Sequence, residues 1–160
     1  MTTYTTYSKY KMFSKEHFNN AIHATMNKPL CGLWGCRGDE WKEWCESNDF
    51  PCGEYRFEWR LSKTAKVLNI RTIEDYKKVV RKYKTSIGEG LGTIRCIDFN
   101  KIIRDYDAME IFDPAVWECR FMDDIDGKYD LGLYTWDVPS IVVFRPDKII
   151  NITLPKKLRS

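Results

Sequence analysis

The side chains best suited to chemistry crowd between Lys28 and Cys52, where Trp34, Trp41 and Trp44 stand among Cys31, Cys36, Cys45 and Cys52. Three chemistries compete for that stretch: a metal knot, an aromatic slab of core, or the wall of a pocket for a flat ligand. Zinc-binding cysteines usually come as a knuckle with two residues between them. Here four, eight and six residues intervene, so no metal is expected. Asp124, Asp126 and Gly127 look like the start of a calcium loop, but a third acid and the closing Glu are missing. Imidazole bases are scarce, since His17 and His23 are the only histidines, and a Cys36–His23 pair exists only as a spacing.

The tryptophans divide by their neighbours. Trp41, Trp44 and Cys45 fall at i, i+3 and i+4 and are read as one apolar helix face turned into the core. Trp34 in GLWGCRG and Trp136 in TWDVPS stand beside small or turn-forming residues. Such rings can line a cleft and stack on a nicotinamide, an adenine or a base, with Gly35 letting the ligand approach the backbone. Core packing is the equal alternative for both. The glycine run GEGLG at 88–92 lacks the Gly-Lys-Ser/Thr and the following helix of a phosphate cradle, so it is read as a turn or loop.

What must hold these residues in place is a mixture of strands and helices. Tyr4, Tyr7 and Tyr10 with their threonines suit a strand over 3–10. The segment 14–28 is ambiguous between helix and loop, with Pro29 as a break. A short helix is expected over 39–47, its acidic Asp39 and Glu40 at the N-terminus. Tyr55, Phe57, Trp59 and Leu61 alternate with Glu54, Arg56, Glu58 and Arg60, giving a strand with one dry face. KVLNIR makes another strand and leads into a helix capped by Thr72 and Asp75, with Ile73, Tyr76, Val79, Val80 and Tyr83 as its stripe. Asp98 caps a helix containing Ile102, Ile103 and Tyr106. Short apolar segments follow at 108–112, 117–121, 130–136, 140–144 and 148–154, with a hairpin connection at 123–127. Because strands and helices do not alternate regularly, the expected class is α+β, one domain over 1–160 with two or three helices.

Bulk properties narrow the function classes. A 160-residue chain can hide enough surface to fold without metal or disulfides. Twenty-six Lys and Arg against 23 Asp and Glu leave a formal charge of +3 and no strong basic stripe, which disfavours nucleic acid as a partner. PKKLRS at the end reads as a solvated terminus. No apolar run would span a bilayer and no signal-peptide pattern opens the chain, so a cytoplasmic protein with thiol cysteines and no membrane partner is expected.

Three separated segments carry a resemblance. YDAMEI at 106–111, SIVVFRPDKI at 140–149 and GLWGC at 32–36 resemble, in order, strands of small bacterial and phage proteins of the ADP-ribosyltransferase fold. The resemblance implies a split, strongly bent pair of antiparallel sheets with NAD between them. It also implies that Trp34 stacks on the ligand and that Tyr7, Gly35, Cys36 and Trp136 line the site. Where such enzymes place a catalytic Glu this chain has Ser140; the nearest acid is Asp137, and Cys36 stands where a Ser or Thr is usual. The implied function is binding of NAD or a related nucleotide, with ADP-ribose transfer to a macromolecule as its activity. The alternative is a member without catalysis that binds a nucleotide or a host protein, as phage or mobile-element inhibitors do.

Overall fold

The computed structural model of the protein describes residues 1–11, 24, 25, 27–29, 31–87, 94–122 and 125–158. Strand β1 (Thr3–Ser8) is followed by β2 (Ala24–Thr25) and β3 (Lys28–Pro29), which pair with each other. Next come β4 (Leu33–Arg37), α1 (Glu40–Ser47), β5 (Tyr55–Leu61), β6 (Val67–Ile70) and α2 (Ile73–Tyr83). The hairpin strands β7 (Lys84–Ile87) and β8 (Ile94–Ile97) precede α3 (Phe99–Asp105), β9 (Ala108–Ile111) and α4 (Ala115–Glu118). The chain closes with β10 (Ser140–Val143), β11 (Ile149–Ile150) and β12 (Lys156–Lys157). His17, His23, the glycine run 88–92 and Asp124 lie outside the described residues, as does most of the ambiguous segment 14–28.

The architecture is α+β. One curled sheet runs in the order β11-β5-β1-β4-β10-β9-β6, with β12 on β5. Every pair along it is antiparallel except β6 with β9, which are parallel because the chain between them crosses over through α2 and α3. The sheet is therefore mixed, where the resemblance implies antiparallel pairing throughout.

Local signals explain the strongest elements. In β5, Tyr55, Phe57 and Trp59 are buried while Arg56, Glu58 and Arg60 are not, as the alternation requires. Helix α2 starts on a complete capping box, Thr72 Oγ1 accepting from the Asp75 amide and the Asp75 carboxylate accepting from the Thr72 amide. Its stripe, Tyr76, Val79, Val80 and Tyr83, packs with α3 and α4 against Leu68, Ile70, Met109, Ile111 and Val142 of the sheet. A smaller cluster of Tyr4, Leu33, Trp59, Ile141, Val143 and Ile149 covers the other face. The hairpin at Ile125 and Lys128 turns through Asp126 and Gly127, both at positive φ, the conformation a tight two-residue connection needs.

Three expectations change. The segments 117–121 and 130–136 are not strands: Trp117 and Phe121 are 46% and 69% exposed, and 130–136 is mostly turn. A fourth helix, α4, replaces the expected extended run, and a single turn of helix is too short to show periodicity. In α1 only Cys45 is fully buried, while Trp41 and Trp44 are partly buried. Their indoles stack on each other, centroids 5.1 Å apart, and meet Phe50 edge-on, so they find apolar contact at the surface instead of in the core. Among the described residues no helix is long and apolar enough to cross a membrane.

Candidate functional site

Strand β4 changes partner halfway along. Its far end pairs with β1, through Tyr4 with Arg37 and Thr5 with Cys36; its near end pairs with β10, through Leu33, Trp34 and Gly35. Beyond Thr5, β1 stays on β5 as far as Ser8 but leaves β4. The sheet therefore opens beside Trp34. A threonine holds the edge of the opening: Thr6 Oγ1 donates to the Trp34 carbonyl at 2.6 Å and accepts from the Trp59 indole N–H at 2.8 Å.

At this opening lies a cavity of about 300 Å³. Tyr7, Trp34, Gly35, Cys36, Trp136, Asp137 and Ser140 all border it, so the residues singled out from the sequence at both ends of the chain share one hollow. Thr5, Thr6, Lys28, Trp41 and Val138 complete the wall; sequence reasoning passed over four of them and read Trp41 as core. Register explains the grouping. Thr5 and Tyr7, Trp34 and Cys36, and Ser140 alternate onto the same face of three neighbouring strands.

The two pocket tryptophans have different parts. Trp34 is half-buried, so it keeps surface for a ligand. Trp136 is fully buried, donates its indole N–H to the Asn27 carbonyl at 2.7 Å, and backs Trp34 with ring centroids 4.7 Å apart. It sets the position of the Trp34 ring more than it offers a stacking face. Gly35 also has a reason of its own. A Cβ there would sit 2.7 Å from Trp59 Cζ2, so the bare backbone makes room for an indole on the other face of the sheet.

Charge is concentrated around Asp137. The Lys28 ammonium is 3.7 Å from one carboxylate oxygen, and Arg120 is 3.9 Å from the other. Lys28 also donates to the Thr135 carbonyl at 2.9 Å and lies 5.2 Å from the centroid of the Trp34 ring. Cation, indole and carboxylate thus form one polar corner of the cavity. Ser140 does not face that corner freely, because its hydroxyl donates to the Val138 carbonyl at 2.7 Å.

On the β1 side the Tyr7 hydroxyl donates to Asp39 at 2.5 Å, and Arg56 reaches the same carboxylate at 3.1 Å. Burial, then the bond to Asp39, raises the Tyr7 phenol above its ordinary value, while the Tyr7 hydroxyl, ahead of Arg56, holds Asp39 below the usual carboxylate range. Burial pushes the Cys36 thiol up to about 11, with its sulfur near the Thr5 and Gly38 carbonyls. Cys36 is therefore a protonated wall residue at neutral pH and no thiolate nucleophile. All six cysteines are free thiols, and among the described residues no three His, Cys, Asp or Glu side chains gather as metal ligands.

Compared with protein-family models, curated proteins and solved structures, the chain gives no match in any of the three.

Proposed function

We propose that the protein binds a nucleotide, NAD in the first instance, in the cavity beside β4, and transfers ADP-ribose from it to a macromolecule. The observation that carries this reading is the shared hollow: a partly exposed indole, a lysine and a carboxylate meet there, although they come from opposite ends of the chain. At about 300 Å³ the cavity lies at the low end of small-molecule sites, which suits a base or nicotinamide with its ribose and leaves the remaining groups along the open side.

The residues divide the work by chemistry. Trp34 offers a flat apolar face to the ring, and Trp136 behind it fixes that face. Lys28 stands over the same indole, placed to meet phosphate oxygens as a point charge. NAD, when bound, supplies a ribose–nicotinamide bond that breaks with its electron pair leaving on nicotinamide, while an acceptor nucleophile bonds the sugar carbon and gives its proton to solvent. The Asp137 carboxylate steadies the positive charge that builds on the sugar as that bond stretches.

Binding without transfer is the second reading, favoured by two observations. Asp137 already lies between Lys28 and Arg120, which reduces the negative potential it can offer, and Ser140, with its hydroxyl turned to the Val138 carbonyl, carries no charge. One pair of measurements separates the readings: calorimetric titration with NAD and ADP-ribose, and transfer of label from radiolabelled NAD with released nicotinamide quantified. Trp34→Ala should weaken binding by about 1–3 kcal/mol, the size of a base–aromatic stack. Asp137→Asn should abolish transfer and leave binding within a few fold. Binding with no transfer by the unaltered protein selects the second reading; no binding of either nucleotide refutes both.

A further inference from the structure

Helix α1 and the turn after it carry aromatic rings that neither core cluster includes. Trp41 borders the cavity, Trp44 stacks on it at an interplanar angle of 12°, and Phe50, 50% exposed, meets both rings at 5.9 and 5.5 Å. The patch thus begins at the mouth of the cavity and runs outward along the helix.

The charges carried by this segment are one-sided. Asp39, Glu40, Glu43, Glu46 and Asp49 lie in the stretch 39–50 that bears the three rings, and its one base, Lys42, is tied to Glu46 at 2.6 Å; from outside it Arg56 reaches Asp39 at 3.1 Å and Arg37 acts on Glu40. The Glu43 and Asp49 carboxylates are exposed and have no hydrogen-bond or ion-pair partner among the described residues, and Glu40 Oε2 is buried without one. No basic residue occupies the last turn of α1, so Glu46 within it and Asp49 just beyond it face the negative end of the helix dipole. Folding gains from that placement only the Lys42–Glu46 pair, and nothing from Asp49. A cationic partner would gain more, because indole faces and free carboxylates both attract Lys and Arg side chains.

We infer that the face of α1 bearing Trp41, Trp44 and Phe50 is the docking surface for a lysine- or arginine-rich segment of a protein partner. The segment lies along the rings with its cations between the carboxylates, and one end reaches the cavity mouth at Trp41. That this segment is also the acceptor of transfer rests on the nucleotide reading; the docking itself does not. The same acids repel the phosphates of nucleic acid and anionic lipid headgroups.

The test uses the full chain without nucleotide, so failure of NAD binding leaves it unaffected. A fluorescein-labelled peptide of alternating arginine and glycine is titrated by anisotropy beside its glutamate–glycine counterpart and a labelled oligothymidylate. Saturable binding of the arginine peptide alone is expected, weakened about tenfold or more by Trp44→Ala and by Glu43→Lys combined with Asp49→Lys, with a loss of salt dependence in the charge variant. Thermal unfolding reports whether Trp44→Ala folds; the charge variant alters only exposed positions and keeps the test open if it does not. The inference is overturned by absence of saturable binding, by equal binding of the acidic peptide or the oligothymidylate, or by unchanged affinity in the charge variant. Concentration-dependent self-association that the charge variant abolishes would also overturn it, by assigning the surface to the basic terminus of a second copy.

Discussion

Replacing Gly35 by alanine tests how the cavity wall is built. The added Cβ would stand 2.7 Å from Trp59 Cζ2 and 3.3 Å from the Thr5 carbonyl oxygen, against about 3.5–4.0 Å for carbon atoms in ordinary contact. Neither neighbour can yield easily. Trp59 is 1% exposed, its ring stacks on Tyr4 at 4.9 Å, and its N–H is bonded to Thr6; the other atom is backbone. Overpacking of this kind costs about 1–3 kcal/mol, and the rigidity of both neighbours puts Gly35→Ala at about 2–3 kcal/mol. Trp59→Phe removes the ring half that carries Cζ2, along with the bond to Thr6, at a cost of about 2–3 kcal/mol of its own. If the clash is the cause, the double variant should be little worse than Trp59→Phe alone, a coupling of about 2 kcal/mol. Urea unfolding followed by far-ultraviolet circular dichroism, which does not depend on tryptophan emission, measures all four corners of the cycle. Additivity within about 0.5 kcal/mol would refute the reasoning. An alanine at Gly35 that leaves stability unchanged but lowers nucleotide affinity would instead mean that the glycine serves the ligand.

Other perturbations have equally definite outcomes. Thr72→Ala removes the cap of α2 and should cost about 1 kcal/mol in the same urea assay, with no change in nucleotide binding. The Arg95–Asp130 pair is buried, its side chains 6% and 0% exposed, so Asp130→Asn, which leaves the guanidinium uncompensated, should cost about 3–5 kcal/mol; a loss below about 1 kcal/mol would mean the pair is dispensable. Asp39 is held below its ordinary range, so its contribution to stability is present above the unfolded carboxylate pKa and disappears as pH falls through the lower folded value; Asp39→Asn should flatten that part of the acid limb in pH-dependent unfolding. With burial pushing Cys36 up to about 11 and Cys119 up to about 12, alkylation of the native protein at pH 8 followed by peptide mapping should leave both unlabelled.

Elements with a full local signal were legible in the sequence. The alternation of β5 and the capped stripe of α2 each contain their own proof of which face is dry, and both fold as expected. Helix α1 shows what spacing leaves open. Trp41 and Trp44 do share a face, but whether that face is covered depends on what packs above it, and what meets both rings here is Phe50, itself 50% exposed. For α4, one turn after Pro114 gave no period to detect. Trp34 could be marked from its glycine neighbours, whereas Asp137 and Ser140 stood out only through the resemblance carried by 140–149. Thr5 and Thr6 could not be marked, because their place in the wall follows from β1 parting from β4, and Lys28 could not, because it comes from β3 to meet Thr135 and Asp137; both are long-range events with no local trace. The tilted packing of Trp136 behind Trp34 was hidden for the same reason: burial is decided by the assembled core.

Shared between two partners, β4 leaves the molecule little tolerance for a change in chain length. Its five residues serve β1 at one end and β10 at the other, so losing or gaining a single residue between them would put the two pairings out of register with each other. With the β1 pairing kept, Trp34 would rotate to the side where Trp59 sits; with the β10 pairing kept, Cys36 would. Substitutions in this strand can be absorbed locally, but an insertion or deletion would turn part of the floor of the site inside out.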